Sequence, residues 1–346
     1  AWDSPDAAEY HWYYYGKNGK AVISRWQKIG ESWYYFNEDG QMMTGKVEID
    51  DATYYLGEAN DGVMKTGWIQ LENESDDPEM THSWYYFDTN GKMVENQVDK
   101  KISGDYYTFV DGVMQTGWFK LPAEENAENA TPSDAAENTA ATVAGYQYYE
   151  PENGKRVTGW RTIEGVEGIS QEGELYNFYF KNGKPYHAES GLQLFTVESK
   201  KYAFNTKGEM QTGLKVVNLE GAEVANFYFA EDGVMRTGKQ VIYNEDLDEN
   251  QTWFFYTDGS RKGQGFHGIR DNTLYEYGLR KEADSDLRLA PMAYDGNQYL
   301  VNTSGSIQKA SSSSKSAAKP ELGNGFKYYK DSNGKTWVVD VNGIIQ

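Results

Sequence analysis

Short aromatic runs alternate along the chain with polar, glycine-bearing turns. WYYF at Trp33 is followed by NEDG ending at Gly40, then by a Met-containing segment and an exit at Thr44-Gly45. The order recurs with WYYY at Trp12, TYYL at Thr53, WYYF at Trp84, DYYTF at Asp105, QYYE at Gln147, FYF at Phe178 and Phe227, and WFFY at Trp253. Turn glycines Gly19, Gly40, Gly62, Gly91 and Gly112 stand 21, 22, 29 and 21 residues apart, so the unit is about 21 residues, stretched by polar insertions such as 72–82. An aromatic run, an Asn/Asp-Gly turn and a short Met/Val run predict a β-hairpin. One hairpin alone is marginal in water, so hairpins must stack on one another. Side chains alternate along a strand, placing Trp33 and Tyr35 on one face and Tyr34 and Phe36 on the other. Both faces are aromatic, so each must contact something. The pattern predicts an all-β fold: a β-hairpin solenoid of about 21-residue aromatic repeats with acidic loop insertions.

The pattern also divides the chain. Residues 1–120 hold the most regular repeats, 145–260 diverged ones, and 261–308 irregular, degenerate ones. Residues 121–144 contain no aromatic and no basic residue and read as a flexible insertion, with a short helix starting near Thr131-Pro132 as the alternative. Residues 309–320, KASSSSKSAAKP, read as a Ser/Ala/Lys linker, and 321–346 as a terminal strand pair or cap.

Composition narrows the chemistry. Aromatics make up 15% of a chain that is only 38% hydrophobic, so local aromatic contacts, not a broad aliphatic core, must hold the fold. A net charge of −20 argues against nucleic acid and anionic lipid as partners. The absence of cysteine excludes disulfides, zinc–thiolate sites and thiol catalysis. No apolar run is long enough to span a membrane. The four histidines are scattered, and neither HExxH nor GxSxG occurs, so neither an enzyme, a cofactor nor a metal site is expected. Asp88-Thr-Asn90-Gly and Asp331-Ser-Asn333-Gly resemble the opening of a calcium loop, but turn chemistry explains them better. A start at Ala1 without a leader fits a mature or trimmed chain.

The unit GxxWYYFNxDGxMxTG resembles the cell-wall-binding repeat family, which includes choline-binding, glucan-binding and clostridial-toxin-type aromatic repeats. The resemblance covers roughly residues 10–260 and weakens beyond, where 297–305 and 326–334 look like degenerate units. It implies a hairpin solenoid and a non-catalytic module, extracellular at the bacterial cell surface, whose partner is a choline-bearing or other glycan polymer of the wall. In choline-binding members a cage forms from a Trp before the hairpin, a Trp opening the strand, an aromatic of the next hairpin and often a Met. On that pattern the candidates are Trp26, Trp33 and Tyr54 with Met42 or Met43, then Trp68, Trp84 and Tyr106 with Met93. Trp118 and Trp160 are weaker candidates, because Gln147 and Asn177 or Phe178 stand where the second Trp belongs. Two alternatives stay open: an adhesin-like module for external or host glycans, and a structural spacer with no small ligand.

Overall fold

The computed structural model describes residues 10–72, 81–122 and 141–346. Residues 1–9, most of the 72–82 insertion and most of 121–144, with the Thr131-Pro132 helix start, lie outside the described residues. Among the described residues the fold is antiparallel β throughout, with short 3-10 turns at Glu220–Ala222 and Pro320–Leu322 and no α-helix.

The hairpins are phased differently from the sequence expectation. The aromatic run pairs mainly with the segment before it: Arg25–Ile29 with Ser32–Phe36, Lys46–Ile49 with Ala52–Tyr55, Gly67–Glu72 with His82–Phe87, and Gly117–Lys120 with Tyr146–Tyr149. A two-residue turn with both φ positive joins Lys46–Ile49 to Ala52–Tyr55 at Asp50-Asp51 (φ 49 and 58), and another joins Gln97–Ile102 to Asp105–Val110 at Ser103-Gly104 (φ 51 and 97). Beyond the Asn/Asp-Gly turn, pairing shrinks to isolated bridges at Phe36 with Met42 and Phe87 with Met93, whereas Asp105–Val110 pairs with Val113–Met114 and Val224–Phe229 with Met235–Arg236, so the expected hairpin survives there as a two-residue third strand. The physical reason is the turn's first side chain. Asn37 Oδ1 accepts from the Asp39 and Gln41 N–H groups (3.1 and 2.9 Å), and Asp88 Oδ1 accepts from those of Asn90 and Lys92. These bonds make a broad Asx loop, too wide to seed a hairpin. Asp331 does the same for Asn333 and Lys335, so both calcium-like loop openings are built as turns.

The core residue stands at or next to the end of most aromatic runs. Phe36, Leu56, Phe87, Phe109, Phe204, Phe229 and Phe255 are all buried to 2% exposure or less. Successive repeats are tied by a recurrent backbone bond from the second residue after the turn glycine to the start of the preceding aromatic run. Met42 N–H donates to Trp12 O, Met64 to Trp33 O and Met93 to Thr53 O, each at 2.8–2.9 Å.

The methionine side chain completes the joint. Six of the nine methionines (Met42, Met64, Met93, Met114, Met210 and Met235) lie where the Cβ of the next turn glycine would be. Gly91, for example, has φ +79, and a Cβ there would collide with the Met64 side chain. Both backbone and space therefore demand glycine. Gly91→Ala is expected to destabilise by about 1–3 kcal/mol; a thermal melt unchanged from wild type would remove this account of the repeat joint.

The chain divides into two compact units. The first comprises residues 1–130, 145–159 and 180–184, the second 131–144, 160–179 and 185–346. In the second, the stretch 261–308, read from the sequence as irregular, supplies three strands of a five-stranded sheet in the spatial order Gly238–Asn244, Glu249–Phe255, Leu279–Arg280, Thr273–Glu276, Gly268–Arg270. Residues 309–320 are tied to the C-terminal strands: Gly325 N–H donates to Ser314 O, Ala310 N–H to Asp340 O, and Lys315 bridges Asn324. The terminal pair is Lys327–Lys330 with Thr336–Val339.

Candidate functional site

In the first unit, strand pairing brings Trp26 opposite Tyr35 and Trp33 opposite Lys28, two positions further along. Trp26 meets Tyr35 edge-on (5.4 Å between centroids) and Tyr54 of the next hairpin edge-on (4.8 Å, 62°). Trp33 stays 42% exposed. Trp26, Trp33 and Tyr54 share a hollow of about 350 Å³ with Met64, Thr89 and Asn90. The three rings named from the sequence thus come together. The methionine is Met64, not Met42 or Met43: the recurrent backbone bond to Trp33 O is donated by Met64, one repeat later than the sequence spacing suggests. Met42 lines an equivalent hollow of about 360 Å³ beside Trp12, where the indole N–H donates to Asn60 Oδ1 at 3.3 Å. That hollow was missed because nothing in the sequence shows which methionine crosses to which repeat. Met43 packs on the Ile49, Tyr54 and Leu56 cluster.

The same ring geometry returns at Trp68. It meets Tyr86 edge-on at 5.1 Å and Tyr107 at 4.8 Å, and Trp84, 40% exposed, stands opposite Gln70. The partner ring is Tyr107 and not the expected Tyr106, and the methionine packed there is Met114 rather than Met93. The core residue of this run is Phe109, so Tyr107, two places before it, holds the position that Tyr54 holds before Leu56. Trp118 keeps its cross-strand partner Tyr148 (5.1 Å), and the position opposite Lys120 is Tyr146, not Gln147. In the second unit Trp160 meets Tyr179 and Tyr202 edge-on at 5.2 and 4.9 Å. Thr162 there bonds Asn177, so an amide replaces the second indole, as the sequence suggested.

Two hairpins of the first unit without the leading tryptophan supply their own cation. Lys46 holds the position of Trp26 in the next repeat, and its Nζ lies 5.3 Å from the centre of the Tyr85 ring. Met93 belongs to this joint, through its backbone bond to Thr53 O. At Tyr106 the guanidinium of Arg156 sits 4.1 Å above the ring, with Lys101 Nζ at 5.8 Å. Arg156 stands where Met64 stands in the Trp26 joint, and its N–H makes the same backbone bond, to Tyr106 O. A ring face already covered by an internal cation has little attraction left for an external one.

The Arg156 charge is balanced by Asp99 at 2.8 Å, which is three-quarters buried. The Tyr149 hydroxyl lies 3.0 Å from the other Asp99 oxygen and 2.6 Å from Thr108 Oγ1. Burial pushes the Tyr149 phenol well above its ordinary pKa, so it remains a neutral donor. Arg156→Ala is expected to cost about 1–3 kcal/mol by leaving Asp99 without its cation. Adding Asp99→Asn should recover part of the loss in chemical denaturation, and additive losses would contradict the pairing.

Among the described residues no group of three or more acids or histidines is placed to hold a metal. No helix there is long and apolar enough to cross a membrane.

The family model for the choline-binding repeat matches residues 22–68, and that for the putative cell wall binding repeat matches 83–93. Glucosyltransferase-I of Streptococcus downei is 26% identical over 272 residues, an alignment covering 73% of this chain and 16% of that protein. The chain therefore spans a small part of that relative's length. Among solved structures, CbpJ from Streptococcus pneumoniae is similar with a TM-score of 0.43 and 16% identity, covering 97% of both chains. The modular autolysin LytC of the same organism gives 0.45 and 18% over 86% of this chain and 51% of that one. CbpF, solved with ipratropium, gives 0.46 and 18% over 93% and 98%. Trp26, Trp33 and Tyr54 all fall inside the first matched segment, and Trp84 to Met93 inside the second. Over these residues the chain carries repeats of the cell-wall-binding family, of the choline-binding type.

Proposed function

We propose that this protein is a non-catalytic module of the bacterial cell surface that holds itself, or a carrier, on choline-bearing or other carbohydrate polymers of the wall. One observation carries the reading: Trp26, Trp33, Tyr54 and Met64 line a solvent-open hollow that contains no charged side chain. A quaternary ammonium offers no hydrogen-bond donor, so only ring faces and a polarisable sulfur can hold it. Three rings at about 0.5–2 kcal/mol each give a millimolar site, near 4 kcal/mol. Repeated weak sites on a polymer gain by avidity, so the retention force needs no single tight site. A purely structural spacer would bury its indoles, and the exposure of Trp33 and Trp84 speaks against it.

The test is titration of the intrinsic fluorescence with choline and with tetramethylammonium, the same cation without its hydroxyl. A saturable change with both, at constant ionic strength, is the expected result. A flat response to both would refute the ammonium site, and a response scaling only with ionic strength would reduce it to screening.

A further inference from the structure

The second unit contains a groove that the aromatic repeat does not account for. It measures about 570 Å³, within the range of small-molecule sites, and lies beside the five-stranded sheet. Its most unusual feature is Tyr277. This residue is 62% exposed yet held at φ +48, a conformation bulky side chains seldom adopt. Three contacts keep it there. Asn226 Nδ2 donates to the Tyr277 carbonyl at 2.9 Å. The Tyr277 N–H points to His267 Nδ1 at 3.4 Å. The imidazole of His267 stacks flat against the phenol ring, 4.3 Å between centroids and 14° from parallel. Gly265 allows the approach, because a Cβ there would collide with the Tyr277 carbonyl. One face of the Tyr277 ring is therefore backed and fixed, while the residue as a whole remains largely in solvent. Backbone strain of this kind persists where the surroundings over-determine it, and it concentrates at binding sites.

The rest of the lining sets the ligand class. Val216 and Val224, both more than half exposed, give the groove an apolar side. Gln264 and Asn226 contribute planar amides, Arg261 a guanidinium and Glu223 a carboxylate. The two formal charges balance, in a chain of net charge −20 that repels anions. A cation is disfavoured too, because Arg261 already lies 4.6 Å above the Tyr256 ring. What remains is a neutral molecule with one C–H face to lie on a ring and a rim of hydroxyls for donors and acceptors of both kinds. We infer that the groove between Tyr277, Gln264 and Arg261 binds a neutral pyranose, with its C–H face on the open side of the Tyr277 ring. All of its residues belong to the second unit, so this site and the ammonium hollow of the first unit stand or fall separately.

The experiment is saturation-transfer NMR on the whole chain with the methyl glycosides of glucose, galactose and N-acetylglucosamine, and with methyl glucuronide as the charged control. Transfer to ring C–H protons of at least one neutral glycoside is expected, undiminished by excess choline. Tyr277→Gly removes the ring and relieves the positive φ, so the fold is not at risk. It should weaken binding by about tenfold or more, the equivalent of about 1.4 kcal/mol. Gln264→Ala should weaken it in the same sense while melting like wild type. No transfer from any neutral glycoside, or transfer that survives Tyr277→Gly, would overturn the inference. Preference for the glucuronide would overturn the neutral class, and displacement by choline would overturn the separation of the two sites.

Discussion

Trp33→Ala is expected to weaken choline binding to the first-unit hollow about five- to thirtyfold while leaving stability nearly untouched. The indole is 42% exposed and stands opposite the surface residue Lys28, so its removal opens no cavity in the core. Its face is the most accessible of the three around the hollow, and a lost indole face is worth about 1–2 kcal/mol, a five- to thirtyfold loss of affinity. The measurement is calorimetric titration with choline, since fluorescence would also report the missing indole. Trp26→Ala is the instructive contrast. Trp26 bridges two hairpins through Tyr35 and Tyr54, so its removal should cost both binding and stability, by about 3–5 kcal/mol. Full choline affinity in a folded Trp33→Ala protein would sink the assignment of this hollow.

The second large effect is one of stability. Phe87→Ala should destabilise by about 3–5 kcal/mol. Phe87 has 0% exposure, ends its aromatic run, and lies 6.2 Å, ring to ring, from Tyr55 of the preceding repeat. In a stack where each repeat touches only its neighbours, a cavity acts locally. Amide exchange should accelerate first in Gly67–Glu72 and His82–Phe87 and in the hairpins on either side, ahead of the second unit. Uniform acceleration over the whole chain would show that the protein unfolds as one cooperative block. A loss below about 1 kcal/mol would show that the site collapses around the missing ring.

These two residues mark how far the sequence can be read. Phe87 was legible only as a strand residue sharing a face with Tyr85, because alternation separates two aromatic faces without saying which is the core. The three rings of the hollow were legible as well, since their spacing follows the repeat. Met64 was not. Its place beside Trp33 depends on a backbone bond between repeats and on the space left by Gly91, neither of which has a local signature. Tyr107 was missed for another reason. Thr108 lengthens that run by one residue, so counting from its first aromatic picks Tyr106, whereas alternation back from the buried Phe109 picks Tyr107. The phase of the hairpins was misread because Asn-Gly is a strong turn signal whatever the width of the loop it closes. The positive φ values at Asp50 and Asp51 carry the tight turn with no glycine to announce it.

The groove at Tyr277 was illegible. Its residues are spread from Val216 to Tyr277 over several strands, and the aromatic motif is absent from 261–280. By itself, the sequence determined that the chain is an all-β array of aromatic hairpins and that Trp26, Trp33 and Tyr54 come together. Those follow from composition, period and the alternation of strand side chains, all properties of neighbours along the chain. Only the tertiary structure decided which methionine closes each joint, which aromatic rings are covered by Lys46 and Arg156, and which remain open. Those outcomes depend on register and on contacts between repeats, where a shift of one residue exchanges a buried face for an exposed one.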